Sequence, residues 1–228
     1  MTREWTSPDG RMRLLNCDCM EFMRGCRDGE FALAVVDPPY GLERYKAKDG
    51  GNSKKITCFG NCDKWNNKPP QAEYFDALFK VSGNQIVWGG NNFDLPASEY
   101  FIIWDKQQMM PSFARCEMAW TTCKVPAKIF SCRSQDPERI HENQKPVALY
   151  RWLFQNYAKP GDRILDTHVG SASSFIAAWE KGFEIVGCEL DADYFNAAVA
   201  RIEKAMQQPA LPLDTPPAKP QPTAQELF

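Results

Sequence analysis

The feature that most constrains this chain is a series of short apolar runs, each of strand length and each closed by an acid, a glycine or a turn. "FALAVVD" (Phe31–Asp37), "NQIVWGG", "YFIIWDK", "RILD" and "FEIVGCEL" are examples. They lack strict apolar/polar alternation. Such runs suit strands covered on both faces, as in a parallel sheet flanked by helices.

Helical patterns separate the runs. Tyr74, Phe75, Leu78 and Phe79 recur at helical spacing, as do Val147, Tyr150, Leu153, Phe154 and Tyr157, whose stripe stops before Pro160-Gly161. A last helix carries Phe195, Val199 and Ile202 inward, with Asp191 as its N-cap. Strand, helix, strand, repeated, predicts an α/β sheet with helices on both faces. We expect one domain over 1–206. The stretch 106–145 fits the alternation poorly and reads as an insert, and the proline-rich tail 207–228 reads as disordered or polyproline-like.

Charge narrows the partners. A net charge of −2 argues against indiscriminate coating of nucleic acid. Locally, Gly41 to Lys68 holds seven basic residues, among them Arg44, Lys46, Lys54 and Lys55, against three acids; Lys106 to Lys145 holds seven against four. The nine cysteines are odd in number and come without an export signal or a second metal-type pair, so reduced thiols and no metal are expected. No run is long enough for a membrane span, which points to the cytoplasm.

In open α/β sheets, ligands sit beyond the carboxyl ends of the strands. "LDTHVGSAS" is such a turn: Asp166 closes a strand, Gly170 permits close approach, and Ser171 and Ser173 bring hydroxyls to a helix start. Glu189 ends the next strand, where an acid can accept both hydroxyls of a ribose. A plain strand-to-helix turn is an equal alternative. The loop has neither a P-loop lysine nor three glycines, and with Asp18, Asp166 and Glu189 the pocket is acidic, which suits a cationic ribose-bearing ligand such as a sulfonium nucleoside.

"DPPY" (Asp37–Tyr40), "HENQKP" (His141–Pro146) and "LDTHVGSAS" (Leu165–Ser173) together resemble the S-adenosylmethionine-dependent amino-methyltransferases of DNA, and the motif order resembles their permuted β group. "NQIVWGGNNF", "WDK" and "CEMAWT" are similar to phage and prophage adenine methyltransferases. The resemblance implies a permuted Rossmann-like sheet with an antiparallel edge strand and a small recognition insert. It implies that Asp37, Pro38, Pro39 and Tyr40 are catalytic. Asp18 would meet the cofactor's adenine and Glu189 its ribose, while Asp166, His168, Gly170, Ser171 and Ser173 would wrap its methionine part. Lys145 would lie near the cofactor carboxylate or order the adjoining helix. Ala172 stands where the family has glycine, and its Cβ is expected to crowd the cofactor or resist a positive φ.

The implied activity is methyl transfer to adenine N6 in double-stranded DNA, with the base flipped out. Arg115, Lys124, Lys128 and Arg133 are candidate DNA contacts beside the four in the basic loop. N4-cytosine transfer, methylation of a protein amide or RNA, and a non-catalytic DNA-binding or decoy protein are the alternatives. A homodimer and a replication-clamp contact through the terminal "AQELF" are further expectations.

Overall fold

A computed structural model describes residues 3–41, 69–109, 114–133, 139–141 and 143–207. The basic loop with Arg44, Lys46, Lys54 and Lys55, and the tail from 208 onward, lie outside the described residues.

Nine strands form one sheet: β1 (Arg3–Thr6), β2 (Met12–Asn16), β3 (Phe31–Val36), β4 (Ser82–Trp88), β5 (Phe101–Asp105), β6 (Cys116–Thr121), β7 (Lys128–Ser131), β8 (Arg163–Asp166) and β9 (Glu184–Cys188). Their spatial order is β1-β2-β9-β8-β3-β4-β6-β5-β7. From β2 to β4 all neighbours are parallel, and edge strand β1 is antiparallel to β2. Among the described residues, the α-helices are α1 (Cys19–Arg24), α2 (Ala72–Val81), α3 (Val147–Tyr157), α4 (Ser173–Lys181) and α5 (Ala192–Met206).

The unbroken apolar runs reflect burial on both faces. Leu33 and Val35 of β3 pack with Ile86, Trp88, Ile164 and Ile185 against Leu149, Phe175 and Ile202 of α3, α4 and α5. Ala34 and Val36 point the other way, to Met23 of α1 and Tyr74, Phe75 and Leu78 of α2. Each large apolar side chain so buried contributes about 1.5–3 kcal/mol.

Two short strands within the 106–145 stretch join the sheet: β6 lies between β4 and β5, with Ala119 and Thr121 buried, and β7 pairs with β5.

Among the described residues, no helix is long and apolar enough to cross a membrane, and no group of three or more potential metal ligands occurs. The seven described cysteines are free.

Candidate active site

Parallel pairing sets four acids in a row. β2, β9, β8 and β3 are successive neighbours, so the residues at or just beyond their carboxyl ends, Asp18, Glu189, Asp166 and Asp37, line one edge of the sheet in that order. Three strand spacings, about 14 Å, separate the first from the last strand.

Asp18 is the N-cap of α1, its carboxylate accepting from Met20 N at 2.6 Å. Glu189 accepts from Gly170 N at 2.8 Å and Asp191 N at 3.0 Å, which joins it to the loop after β8. Burial raises its pKa against those amide contacts. Asp166, 2% exposed, accepts from Ser174 Oγ at 2.5 Å and His168 N at 3.1 Å. Burial dominates there and lifts its pKa to about 7, Asp37 and Glu189 adding to the effect.

The loop Asp166–Ser173 is more strained than its glycine count suggests. Gly170 has φ +53°, and Ala172 also lies in the left-handed region, at φ +61° and fully buried. The expected resistance of Ala172 to positive φ is therefore overcome, at a cost of about 1–2 kcal/mol, by the packing that encloses it. Ser171 and Ser173 are buried. Arg201 of α5 donates to Ser171 O at 2.6 Å and Ser173 Oγ at 3.0 Å, a tie the sequence reading missed.

His168 Nδ1 is 2.9 Å from Thr167 Oγ1, which is 2.6 Å from Tyr74 Oη. Burial drops the His168 pKa to about 4, Asp18 opposing, so the ring is a neutral wall at physiological pH. His141 packs on Tyr194 with ring centroids 4.6 Å apart and lies next to Gly170; burial, then Lys145 and Arg139, lowers its pKa to about 4.

The other end of the row is built around Asp37. Pro38 and Pro39 hold φ at roughly −65°, and the chain turns so that Tyr40 Oη donates to Asp37 Oδ1 at 2.5 Å. The Tyr40 ring lies over Gly89 (φ +65°), where any Cβ would strike it, and edge-on to Phe93. Burial, then the Asp37 charge, raises its pKa well above the ordinary tyrosine value.

Lys145 donates to Asp37 Oδ2, lies 3.2 Å from Glu117 Oε2, and sits 5.3 Å from the centre of the Trp88 ring. Its side chain is 3% exposed. Burial acts to lower its pKa, but Asp37 and Glu117 outweigh it and hold the ammonium charged. Glu117 also pairs with Lys106 at 2.5 Å. Burial works to raise its pKa, yet Lys145 and Lys106 prevail and bring it to about 2. Lys145, expected beside a cofactor carboxylate or ordering a helix, is thus committed to Asp37, two residues before α3 begins.

The basic candidates divide by topology. β6 runs antiparallel to β4, so Lys124, beyond its end, lies at the edge opposite the acids, and Lys128 opens β7 at that same edge. Lys128 donates to Asn156 Oδ1 at 2.6 Å and lies over the Tyr157 ring. Both, expected as DNA contacts, thus lie at the edge away from the acids. Arg115, just before β6, and Arg133, just after β7, are exposed on the edge with the acids.

Residues 103–200 match the family of DNA methylases designated N6_N4_Mtase; the match runs from β5 into α5 and leaves out Asp37–Tyr40. Escherichia coli (strain K12) YubD, which carries the name of a methylase, is 35% identical over 75 residues, 32% of this chain and 33% of that protein. The DNA adenine methyltransferase YhdJ of the same strain is 30% identical over 70 residues, 31% of this chain and 24% of that protein. The chain thus matches about a third or less of each relative's length. The M1.HpyAVI–SAM complex superposes with a TM-score of 0.55 at 18% identity, covering 83% of this chain and 99% of that one. The cytosine-N4-specific PvuII DNA methyltransferase gives 0.59 at 14% identity, covering 88% and 91%. At these identities the likeness to both structures is one of fold.

Proposed function

We infer, from the match of residues 103–200 to the N6/N4 DNA methylase family, that this chain transfers a methyl group from S-adenosylmethionine to the N6 amine of adenine in duplex DNA. The observation that carries the reading is the row of four acids at the ends of adjacent parallel strands, with Asp37 and its two prolines at one end.

The residues fit the cofactor. Two acceptor carboxylates, Asp18 and Glu189, beside the buried, weakly acidic Asp166 suit a cation that also bears hydroxyls and an ammonium. Asp18 would accept from the adenine amine, Glu189 from the ribose hydroxyls, and Asp166 from the ammonium, while His168 and Gly170 would line the methionine portion with Ser171 and Ser173 behind them. When bound, S-adenosylmethionine supplies an electrophilic methyl on sulfonium.

The nitrogen's lone pair is normally delocalised into the base. Asp37 and the Pro38 carbonyl each accept one amino hydrogen, which draws the nitrogen towards tetrahedral geometry and frees that lone pair. Because the prolines hold both acceptors in advance, little reorganisation is needed at the reaction. Tyr40 stacks on the flipped base, and its hydroxyl gives up Asp37 Oδ1 as the amine arrives. Arg115 and Arg133 hold phosphates and set register.

Adenine is preferred because aspartate opens the catalytic motif and because YhdJ is named an adenine enzyme. A second reading is cytosine N4, since the matched family spans N6 and N4 enzymes alike. Incubation with duplex DNA and labelled cofactor, followed by nucleoside digestion, tests both. N6-methyladenine supports the first reading, N4-methylcytosine the second, and unlabelled DNA overturns both.

A further inference from the structure

We propose that Glu117 is a positioning residue for this transfer: it holds one side of the Lys145 ammonium so that Asp37 keeps acceptor capacity for the target amine. The inference rests on methyl transfer at Asp37–Tyr40 and extends it to a residue that touches neither base nor cofactor.

The register of β6 brings Glu117 there. Ala119 pairs with Trp88, the last residue of β4, so Glu117, two residues earlier on an antiparallel strand, lies past the end of β4 on the edge that carries Asp37. Across the sheet it faces Trp104 of β5, after which Lys106 follows. The outcome is a closed row of alternating charge: Lys106, Glu117, Lys145, Asp37.

Each member limits the next. An ammonium has three donors, and a lysine stem has rotamer freedom to lose. Without Glu117 the whole charge of Lys145 would fall on Asp37. Its carboxylate, already bonded to Tyr40, would be drained as an acceptor and less ready to exchange the tyrosine hydroxyl for an amine. Sharing the ammonium between two carboxylates weakens its hold on either one, and the ion pair to Lys106 fixes Glu117 in turn. Trp88 forms one wall of the ammonium's site and Tyr40 another, with ring centres 5.3 and 5.9 Å away.

The groups facing Lys145 are Asp37 and Tyr40 after β3, Glu117 on β6, Lys106 after β5, Tyr150 on α3, and His141 with Arg139 from the segment before Lys145. Among the described residues, only Asp37 and Glu117 are both close and anionic. Removing Glu117 therefore lowers the pH at which Lys145 loses its proton, whereas a residue that merely supported the fold would leave that pH alone.

The test is single-turnover transfer of labelled methyl to duplex DNA, across neutral to alkaline pH, with cofactor affinity measured in parallel. Glu117→Gln should slow transfer by about 10- to 100-fold, as loss of outer partners that orient a reactive group commonly does. Its alkaline limb should appear at lower pH, with cofactor affinity unchanged. Glu117→Asp keeps the charge and should recover part of the rate and of the pH profile; it also carries the test if Glu117→Gln does not fold. A Glu117→Gln protein with the rate and profile of the parent overturns this inference alone, as does a pH-independent loss that follows weakened cofactor binding. A parent protein that labels no DNA overturns it together with the proposed function.

Discussion

The ammonium of Lys145 is bonded to the carboxylate of Asp37, 108 residues earlier in the chain, and this buried pair links the segment before α3 to the Asp37–Tyr40 turn after β3. A carboxylate held this way has its rotamer set before any base arrives. The consequences can be measured on both stability and rate.

Lys145→Met should destabilise the protein by about 3–5 kcal/mol, because it leaves Asp37 and Glu117 as neighbouring carboxylates with a buried cation removed from between them. Chemical denaturation compares the two proteins. A loss under about 1 kcal/mol would mean that the pair has little weight in the fold.

Asp37→Asn keeps the shape but replaces one anionic acceptor with an amide donor. Transfer should fall by about 10²-fold or more, the scale for losing one preorganised electrostatic contact. The fold should survive because Glu117 still pairs with Lys145. Single-turnover labelling read beside the circular dichroism spectrum separates the two effects.

Tyr40→Phe and Tyr40→Ala divide the two roles of this ring. Phenylalanine retains the stacking face and releases Asp37 Oδ1, so its rate should stay within about fivefold of the parent. Alanine removes a stacking contact of about 1–3 kcal/mol and should cost tenfold or more. Transfer rates at saturating cofactor decide between them, and equal rates for both variants would deny the ring a stacking role.

Asp166 gives a signed pH dependence. An unfolded aspartate titrates near about 3.9, whereas the folded group lies at about 7. Between those values the folded state binds more protons than the unfolded state, so this residue's contribution to stability falls as pH rises through that window. His141 and His168, at about 4 when folded, oppose it below the ordinary histidine range. Asp166→Asn isolates the aspartate: its melting temperature should gain on the parent at pH 8 relative to pH 5. Cationic cofactor should bind the parent more tightly as pH rises through 7, a dependence that titration calorimetry should find absent in the variant.

The acids were legible in the sequence because each one interrupts or follows an apolar run, a one-dimensional signal of a strand's carboxyl end. Asp37, Asp166 and Glu189 were found in this way and Asp18 through the family resemblance, and topology then set their order. Glu117 and Arg201 were not, because their roles arise from the register of β6 and from the face of α5, which no local pattern encodes. The same limit explains Lys124 and Lys128. Their charge was visible, but the end of the sheet they occupy depends on a direction reversal at β6. Ala172 failed differently: local preference argued against its backbone conformation, and the burial that enforces φ +61° is a property of the assembled loop.

β2 and β3 are joined by little more than α1, yet two other strands, β8 and β9, lie between them in the sheet, and these are the last two of the described strands. A nascent chain that has reached only β7 therefore holds the outer parts of a sheet whose middle has not been made. Its two flanks cannot pair with each other in their final positions. Contacts of such sequence separation form slowly, and the exposed inner edges of β2 and β3 are open to wrong pairing until residues 163–188 insert. The row of acids therefore cannot be complete until residues 163–188 have taken their place at the centre of the sheet.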